Sequence, residues 1–175
     1  RMRQAESYVA AFQVGKALDG GAIGVVETSN NPDFPENTLV MSSYGWREYF
    51  ISDGEGLRKL APIEGASLTA HMGAAGGTGL TAYVGLMRIA ALKTGDKVFG
   101  WAAAGAVGQI ACQIAKIKGC YVVGSAGSDE KCKWLEETCG VDATINYKTA
   151  GNLTAALREK FPEGIDVYFE NVGGD

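Results

Sequence analysis

The sequence predicts an α/β protein in which a parallel sheet flanked by helices follows a β-rich segment. Three observations support this prediction. From residue 97 onward, β-prone apolar runs alternate with segments of helical periodicity. A glycine-containing turn links the first of these runs to a helix, and residues 1–55 hold short β-prone runs between turn clusters. Alternating strands and helices favour a parallel sheet with right-handed crossovers, because each helix carries the chain back across the sheet.

The β-rich segment comes first in the chain. Its β-prone runs are Ala22–Ser29, Thr38–Ser43 and Trp46–Ser52, which turn-forming clusters separate. The glycines of residues 76–79 are expected to interrupt regular secondary structure before a helix over Leu80–Leu92. We therefore divide the chain into two domains, residues 1–74 and residues 75–175.

A strand, a glycine turn, a helix and a second strand follow one another over residues 97–125. The strands are Lys97–Trp101 and Cys120–Ser125, and Gly105 and Gly108 lie in the turn. Such glycines let the backbone approach a pyrophosphate and let the helix pack closely on the strand. The helix N-terminus offers unpaired N–H groups to the phosphates. This pattern favours a Rossmann-type dinucleotide site, the alternative being a tight turn without a ligand.

The helix of this unit has a periodic apolar pattern and ends at Gly119, which is placed to cap it. We expect one face to pack on the sheet, formed by Val107, Ile110, Ala111, Ile114 and Ile117.

Two further strands and two helices complete the predicted sheet. Ser128 is expected to cap a helix that ends near Cys139, before Gly140. A strand over Ala143–Tyr147, a helix over Leu153–Phe161 and a strand over Ile165–Val172 follow. The four predicted strands are fewer than the usual six or so of a doubly wound dinucleotide domain. We therefore expect the chain to be a fragment of a longer protein.

Composition narrows the functional classes. The formal net charge of −4 and the scattered basic residues argue against nucleic-acid binding. No apolar run reaches the roughly 18 residues of a membrane span, and no signal peptide opens the chain. The four cysteines, at positions 112, 120, 132 and 139, form no CxxC pair and are expected to be reduced, packed thiols. These features predict a cytoplasmic protein.

The end of the second predicted strand bears on cofactor choice. NAD sites usually place an acidic residue there to hold the ribose 2′-hydroxyl, whereas residues 124–127 contain none. Lys131 follows within one helical turn and could meet a 2′-phosphate, although it is also an ordinary exposed helix lysine. We interpret Asp129 and Glu130 as helix-start acids. The sequence therefore predicts NADP(H) as the cofactor.

Other chemistries lack their motifs. The single histidine, His71, lies in an apolar-flanked segment without a Gly-His-Glu run, so we expect a packed or surface residue and no metal site. A Gly-x-Ser-x-Gly hydrolase elbow and a Walker phosphate loop are both missing from the sequence.

Several motifs in register resemble a known family. They are GWREYFISDG (45–54), GGTGLTAYVGL (76–86), AAAGAVGQIACQIAKIKGC (102–120), GSDEKC (127–132), INYKT (145–149) and VYFENVGGD (167–175). Together they resemble the zinc-independent medium-chain dehydrogenase/reductases, in particular the NADPH-dependent alkenal and enone double-bond reductases, which include the prostaglandin reductases. The resemblance implies that residues 1–74 belong to a GroES-like catalytic domain and residues 75–175 to the NADP-binding Rossmann domain.

The same resemblance implies roles for individual residues. Tyr147 would lie on the adenosine phosphate side, Asn171 near the nicotinamide half and Thr81 at the start of a helix that faces the nicotinamide. Their ordinary interpretations are a strand-end aromatic, a turn former and a helix-start residue. With the residues argued above, the predicted cofactor site comprises Thr81, Gly105, Ala106, Val107, Gly108, Lys131, Tyr147 and Asn171. Family members carry Met-Pro where Gly77-Thr78 stand here, so the resemblance does not extend to that pair.

The resemblance also implies an activity. It is NADPH-dependent reduction of the activated C=C bond of α,β-unsaturated aldehydes or ketones. NADPH-dependent quinone reduction and a non-catalytic NADPH-binding protein or fragment are the alternatives. The resemblance assigns the proton donor to a tyrosine beyond residue 175, so no catalytic residue is named, and it implies a homodimer of the full-length protein.

Overall fold

The structure is a computed structural model, which describes residues 10–173. Two compact units divide the chain between Met72 and Gly73. The first unit contains a three-stranded antiparallel sheet in the order β1-β2-β3, formed by β1 (Ala22–Val25), β2 (Leu39–Ser42) and β3 (Arg58–Lys59). A short 3-10 helix, Leu68–Met72, ends this unit.

One of the strands predicted in the first unit is wrong. Residues 46–52 form a loop, and the third strand is Arg58–Lys59 instead. Local aromatic contacts explain the loop, because the rings of Tyr44 and Phe50 stack at 4.8 Å. The Tyr44 hydroxyl also donates to the carbonyl oxygen of Glu55 at 2.9 Å. The other two predicted strands form but are shorter, as β1 and β2.

The second unit is built around a four-stranded sheet in which every pair of neighbouring strands is parallel, as predicted. The strand order is β6-β5-β4-β7. The strands are β4 (Lys97–Gly100), β5 (Tyr121–Ala126), β6 (Ala143–Asn146) and β7 (Val167–Phe169). The helices are α1 (Gly77–Tyr83), which continues as a π-helix (Val84–Ile89), α2 (Gly108–Ile117), α3 (Asp129–Cys139) and α4 (Leu153–Lys160).

The glycines of residues 76–79 do not delay the start of the helix, contrary to the prediction. The helix begins at Gly77, within the cluster. Gly79 is buried, and a Cβ atom there would overlap the carbonyl oxygen of Ala74. The hydroxyl of Thr78 donates to the carbonyl oxygen of Gly73 at 2.9 Å. The glycine therefore permits close packing of the helix start on the preceding segment.

The predicted ends of α3 and the predicted C-terminus of α2 are confirmed. The Ser128 side chain accepts a hydrogen bond from the backbone N–H of Lys131 and so caps α3. Gly140 ends α3 in the left-handed conformation with φ of 69°, and Gly119 follows α2 with φ of 82°. Only glycine adopts such angles without strain.

The predicted inner side of α2 is right except at Ile117. Ala111 is buried, and Val107, Ile110 and Ile114 are half-buried against the core cluster. The residues buried against the sheet are small, namely Gly108, Ala111, Cys112 and Ala115. A Cβ atom on Gly100 of β4 would lie only 3.0 Å from Cys112 Sγ, so the helix and strand are too close for larger side chains. Ile117 is 87% exposed. Ile110, Ile114 and Ile117 also line an apolar cavity of about 500 Å³ together with Leu80 and Tyr83.

Apolar side chains cover both faces of the sheet. Residues of α2 and α3 pack on one face with Val98 and Val122, and residues of α4 pack on the other with Phe99 and Val123. All four cysteines are free and buried, which agrees with the prediction of packed thiols. Burial raises the pKa of the Cys112 thiol to about 12, with a smaller contribution from Cys139. Among residues 10–173, no helix is long and apolar enough to cross a membrane.

Candidate functional site

The four parallel strands of the second unit end at one edge of their sheet. The turn that contains Gly105 and Gly108 follows β4, Lys131 follows β5, Tyr147 follows β6 and Asn171 follows β7. Consecutive strands run outward from β4 to β6, while β7 lies on the other side of β4. In open α/β sheets, ligands bind at the carboxyl ends of the strands where the order reverses. We call this region, from the end of β6 to the end of β7, the carboxyl edge.

The turn after β4 is held by β5. The backbone N–H of Ala103 donates to the carbonyl oxygen of Ser125 at 2.8 Å. The N–H of Ala102 donates to Ser125 Oγ at 3.2 Å, and that buried hydroxyl itself lies 3.4 Å from the carbonyl oxygen of Gly100. Sequence reasoning missed Ser125, although a lone hydroxyl within an apolar strand is a usable signal.

Glycine is required where the turn enters α2. A Cβ atom on Gly108 would lie 2.6 Å from the carbonyl oxygen of Ala102 and 2.9 Å from the Cα of Ala103. A Cβ on Gly105 would lie 3.1 Å from the same carbonyl oxygen, and both Gly105 and Ala106 are exposed. The turn is therefore tightly folded and presents its backbone to solvent.

The N-terminus of α2 differs from those of its neighbours. Its N-cap residue, Val107, makes no side-chain capping bond, whereas Ser128 caps α3 and Asn152 caps α4. The first amides of a helix have no partner within the helix and carry the positive end of its dipole. The carboxyl edge therefore offers an uncapped helix N-terminus behind an exposed glycine turn, an arrangement suited to a pyrophosphate.

Tyr147 lies on the β6 side of this edge, between an indole and a glycine. Its ring stacks on that of Trp101, with centroids 5.3 Å apart and an interplanar angle of 29°. A Cβ atom on Gly127 would lie 2.6 Å from the Tyr147 hydroxyl oxygen and 3.3 Å from Lys148 Cε. The hydroxyl and the Lys148 chain therefore both reach the backbone that follows β5. Sequence reasoning missed Trp101, Gly127 and Lys148.

Two lysines, Lys131 and Lys148, and two acids, Asp129 and Glu130, lie around the end of β5. Lys131 is exposed in the first turn of α3, close in sequence to the Ser128 cap, and Lys148 reaches the same segment from β6. The nearby carboxylate of Asp129 accepts a hydrogen bond from the Asn146 side chain at 2.6 Å. Asp129 is therefore engaged by the end of the neighbouring strand, and the tip of β5 with the residue after it, 124–127, contains no acid.

The segment after β7 is shaped by Glu170. Its exposed carboxylate accepts hydrogen bonds from the backbone N–H groups of Val172 and Gly173, and these bonds lower its pKa. Asn171 is half-buried within this turn. The backbone N–H of Trp101 donates to the carbonyl oxygen of Phe169 at 3.0 Å, which joins the ends of β7 and β4. Sequence reasoning also missed Glu170, which a Glu-x-Val-Gly turn could have indicated.

Thr81, of the predicted cofactor site, and His71, the single histidine, lie on other elements. Thr81 is exposed on α1, and its hydroxyl donates to the carbonyl oxygen of Gly77 at 2.8 Å, a bond within the helix. His71 belongs to the first unit, where it is buried with Nε2 3.0 Å from the carbonyl oxygen of Ala61. Within residues 10–173, no cluster of three or more His, Cys, Asp or Glu side chains could hold a metal ion.

Comparison with known proteins gives matches along most of the chain. The family described as "Zinc-binding dehydrogenase" matches residues 106–175, and that described as "N-terminal domain of oxidoreductase" matches residues 1–60. Prostaglandin reductase 1 of Rattus norvegicus is 49% identical over 92% of this chain and 49% of its own length. The 2-alkenal reductase (NADP(+)-dependent) of Nicotiana tabacum is 45% identical over 99% of this chain and 51% of its own length.

A solved structure supports the same relationship. The structure of CurA from Vibrio vulnificus in complex with NADPH superposes with a TM-score of 0.85 at 39% identity. The match covers 98% of this chain and 50% of that one. This chain thus spans about half the length of the relatives that it matches. The two family matches, these identities and the parallel sheet with its glycine turn agree: the chain belongs to the medium-chain dehydrogenase/reductase family, and prostaglandin reductase 1 and 2-alkenal reductase are among the proteins that it resembles.

Proposed function

We propose that the carboxyl edge of the second unit binds NADPH. The observation that carries this proposal is the exposed glycine turn at Gly105 and Ala106 in front of the uncapped N-terminus of α2. A side chain on Gly108 would collide with this turn, so the backbone stays close to where a pyrophosphate would lie. Val107 and Gly108 would offer their backbone amides to it.

The preference for NADPH over NADH is proposed from the charges beside β5. Lys131 and Lys148 carry positive charge to the strand tip, and the Tyr147 hydroxyl adds a neutral donor. The tip itself carries no carboxylate to hold a 2′-hydroxyl, and Asp129 is bound to Asn146. A 2′-phosphate would therefore find charge-assisted hydrogen bonds here. Asn171, in the turn after β7, would lie toward the nicotinamide half, as would Thr81 on α1.

We further propose that the whole protein reduces the activated C=C bond of α,β-unsaturated aldehydes or ketones. Relatives named as prostaglandin and 2-alkenal reductases support this substrate class. When bound, NADPH supplies a hydride, so the chain's part is to bind and orient it and to exclude water. No described residue is assigned as proton donor.

The remaining assignments follow from the same comparison. We propose that residues 1–74 belong to the catalytic domain and residues 75–175 to the NADP-binding domain, the described units dividing at Met72 and Gly73. The full-length protein is proposed to form a homodimer and to work without a catalytic zinc ion. A cytoplasmic location is proposed because four buried cysteines remain unpaired.

Oxidation of NADPH, followed by its absorbance, tests the proposed activity in the full-length protein. We expect rapid oxidation with an α,β-unsaturated aldehyde, slower oxidation with a 1,2-quinone and none without an acceptor. A faster rate with the quinone would replace the proposal with quinone reduction. NADPH binding without oxidation by either acceptor would indicate a non-catalytic binding protein.

A further inference from the structure

We propose that Trp101 is a positioning residue for cofactor selectivity, which acts by holding Tyr147 against the backbone at Gly127. This inference rests on the proposed function, since it assigns a role to a residue behind the cofactor site. Trp101 is the first residue after β4, and Tyr147 is the first after β6, two strands away. Their rings nevertheless stack, at 5.3 Å between centroids.

Trp101 is held by packing of its ring and by a backbone hydrogen bond. It packs at the rim of the apolar cluster that includes Phe99 and Phe161, and its ring meets that of Phe99 edge-on at 6.1 Å. Its backbone N–H is bound to the carbonyl oxygen of Phe169. The indole is therefore half-buried against this cluster, whereas Tyr147 is 41% exposed. A rigid ring beneath a half-exposed one restricts where the exposed ring can lie.

Gly127 lies beside the hydroxyl of the same tyrosine. The Tyr147 hydroxyl oxygen lies 2.6 Å from the position that a Cβ on Gly127 would occupy, so this approach depends on glycine. The backbone N–H of Tyr147 also donates to the carbonyl oxygen of Ala126 at 3.2 Å. The indole stack and the backbone bond hold Tyr147, and the glycine leaves room for its hydroxyl beside the segment that leads to Lys131.

The stack of Trp101 on Tyr147 should affect how tightly a 2′-phosphate binds. A 2′-phosphate beside Lys131 and Lys148 needs donors that are already in place, because ordering a tyrosine on binding would cost affinity. NADH lacks that phosphate and would gain nothing from the hydroxyl. Loss of the stack is therefore expected to weaken NADPH selectively.

Trp101→Ala and Trp101→Phe test this role through the dissociation constants of NADPH and NADH. We expect Trp101→Ala to weaken NADPH binding about tenfold with NADH unchanged, and the stacking ring of Trp101→Phe to restore most of the loss. Retention of the unmodified protein's NADPH preference by Trp101→Ala would overturn the proposal. Absence of NADPH binding by the unmodified protein would instead refute the proposed function.

A double-mutant cycle with Tyr147→Ala separates positioning from a general structural effect. If Trp101 acts through Tyr147, the double variant should bind NADPH no more weakly than Tyr147→Ala alone. Additive losses would show independent roles and overturn the proposal. Trp101→Leu keeps an apolar side chain against the cluster of Phe99 and Phe161 but removes the aromatic stack, so it serves if Trp101→Ala fails to fold. A selective loss of NADPH affinity in Trp101→Leu supports the proposal, and an unchanged preference overturns it.

Discussion

Replacing Gly108 with alanine is expected to abolish measurable cofactor binding and to destabilise the second unit. The new Cβ would lie 2.6 Å from the carbonyl oxygen of Ala102 and 2.9 Å from the Cα of Ala103. Both contacts are with backbone, which cannot rotate away as a side chain could. The turn after β4 or the start of α2 must therefore move. Overpacking of this kind typically costs about 1–3 kcal/mol of stability. Calorimetric titration with NADPH and denaturant unfolding measure the two effects.

Gly77→Ala is the matched control for this substitution. Gly77 also opens a helix of the second unit, and a Cβ there would meet no atom within 4 Å. We expect it to bind NADPH like the unmodified protein and to be equally or slightly more stable, because alanine favours helix. If Gly108→Ala bound the cofactor as well as Gly77→Ala does, the turn would not be the pyrophosphate site.

Lys131→Ala is expected to weaken NADPH binding about 10- to 100-fold and to leave NADH binding nearly unchanged. Hydrogen bonds to charged groups contribute about 1.5–3 kcal/mol, which corresponds to that range of affinity. Lys131 is exposed in the first turn of α3, beside the acid-free end of β5. The dissociation constants of both cofactors, compared at low and high salt, measure the effect. Salt should diminish the difference, since the contact is ionic.

Lys133→Ala provides the control on the same helix. Lys133 is similarly exposed, and its ammonium group lies 3.7 Å from the carboxylate of Glu137. It changes the net charge by the same amount as Lys131→Ala, so any general electrostatic effect on an anionic ligand should appear in both variants. Equal losses of NADPH affinity in the two variants would assign the effect to net charge rather than to a 2′-phosphate contact.

The sequence predicted the parallel sheet well because its signals are local. The helix from Ser128 to Gly140 has a capping hydroxyl at one end and a left-handed glycine at the other, and both residues can be recognised in the sequence alone. The glycines at 105 and 108 likewise marked a tight turn, and the structure gives the contact at Gly108 that requires one.

The features that the sequence did not predict depend on contacts between distant segments. Periodicity placed Ile117 on the inner side of α2, where it is exposed, and the close approach of Gly100 to Cys112 means that the fully buried positions of this helix hold small side chains. The stack of Trp101 on Tyr147 joins residues 46 positions apart, two strands away from each other in the sheet. Such pairs follow from the strand order, which local patterns do not determine.

Direct comparison of NADPH and NADH binding to the unmodified protein tests the proposed cofactor site most simply. Titration of each dinucleotide, under the same buffer and salt, gives two dissociation constants. The lysines beside β5 and the acid-free strand tip predict that NADPH binds at least about tenfold more tightly. Equal affinities, or tighter binding of NADH, would contradict the assignment of the carboxyl edge to a 2′-phosphate-bearing cofactor.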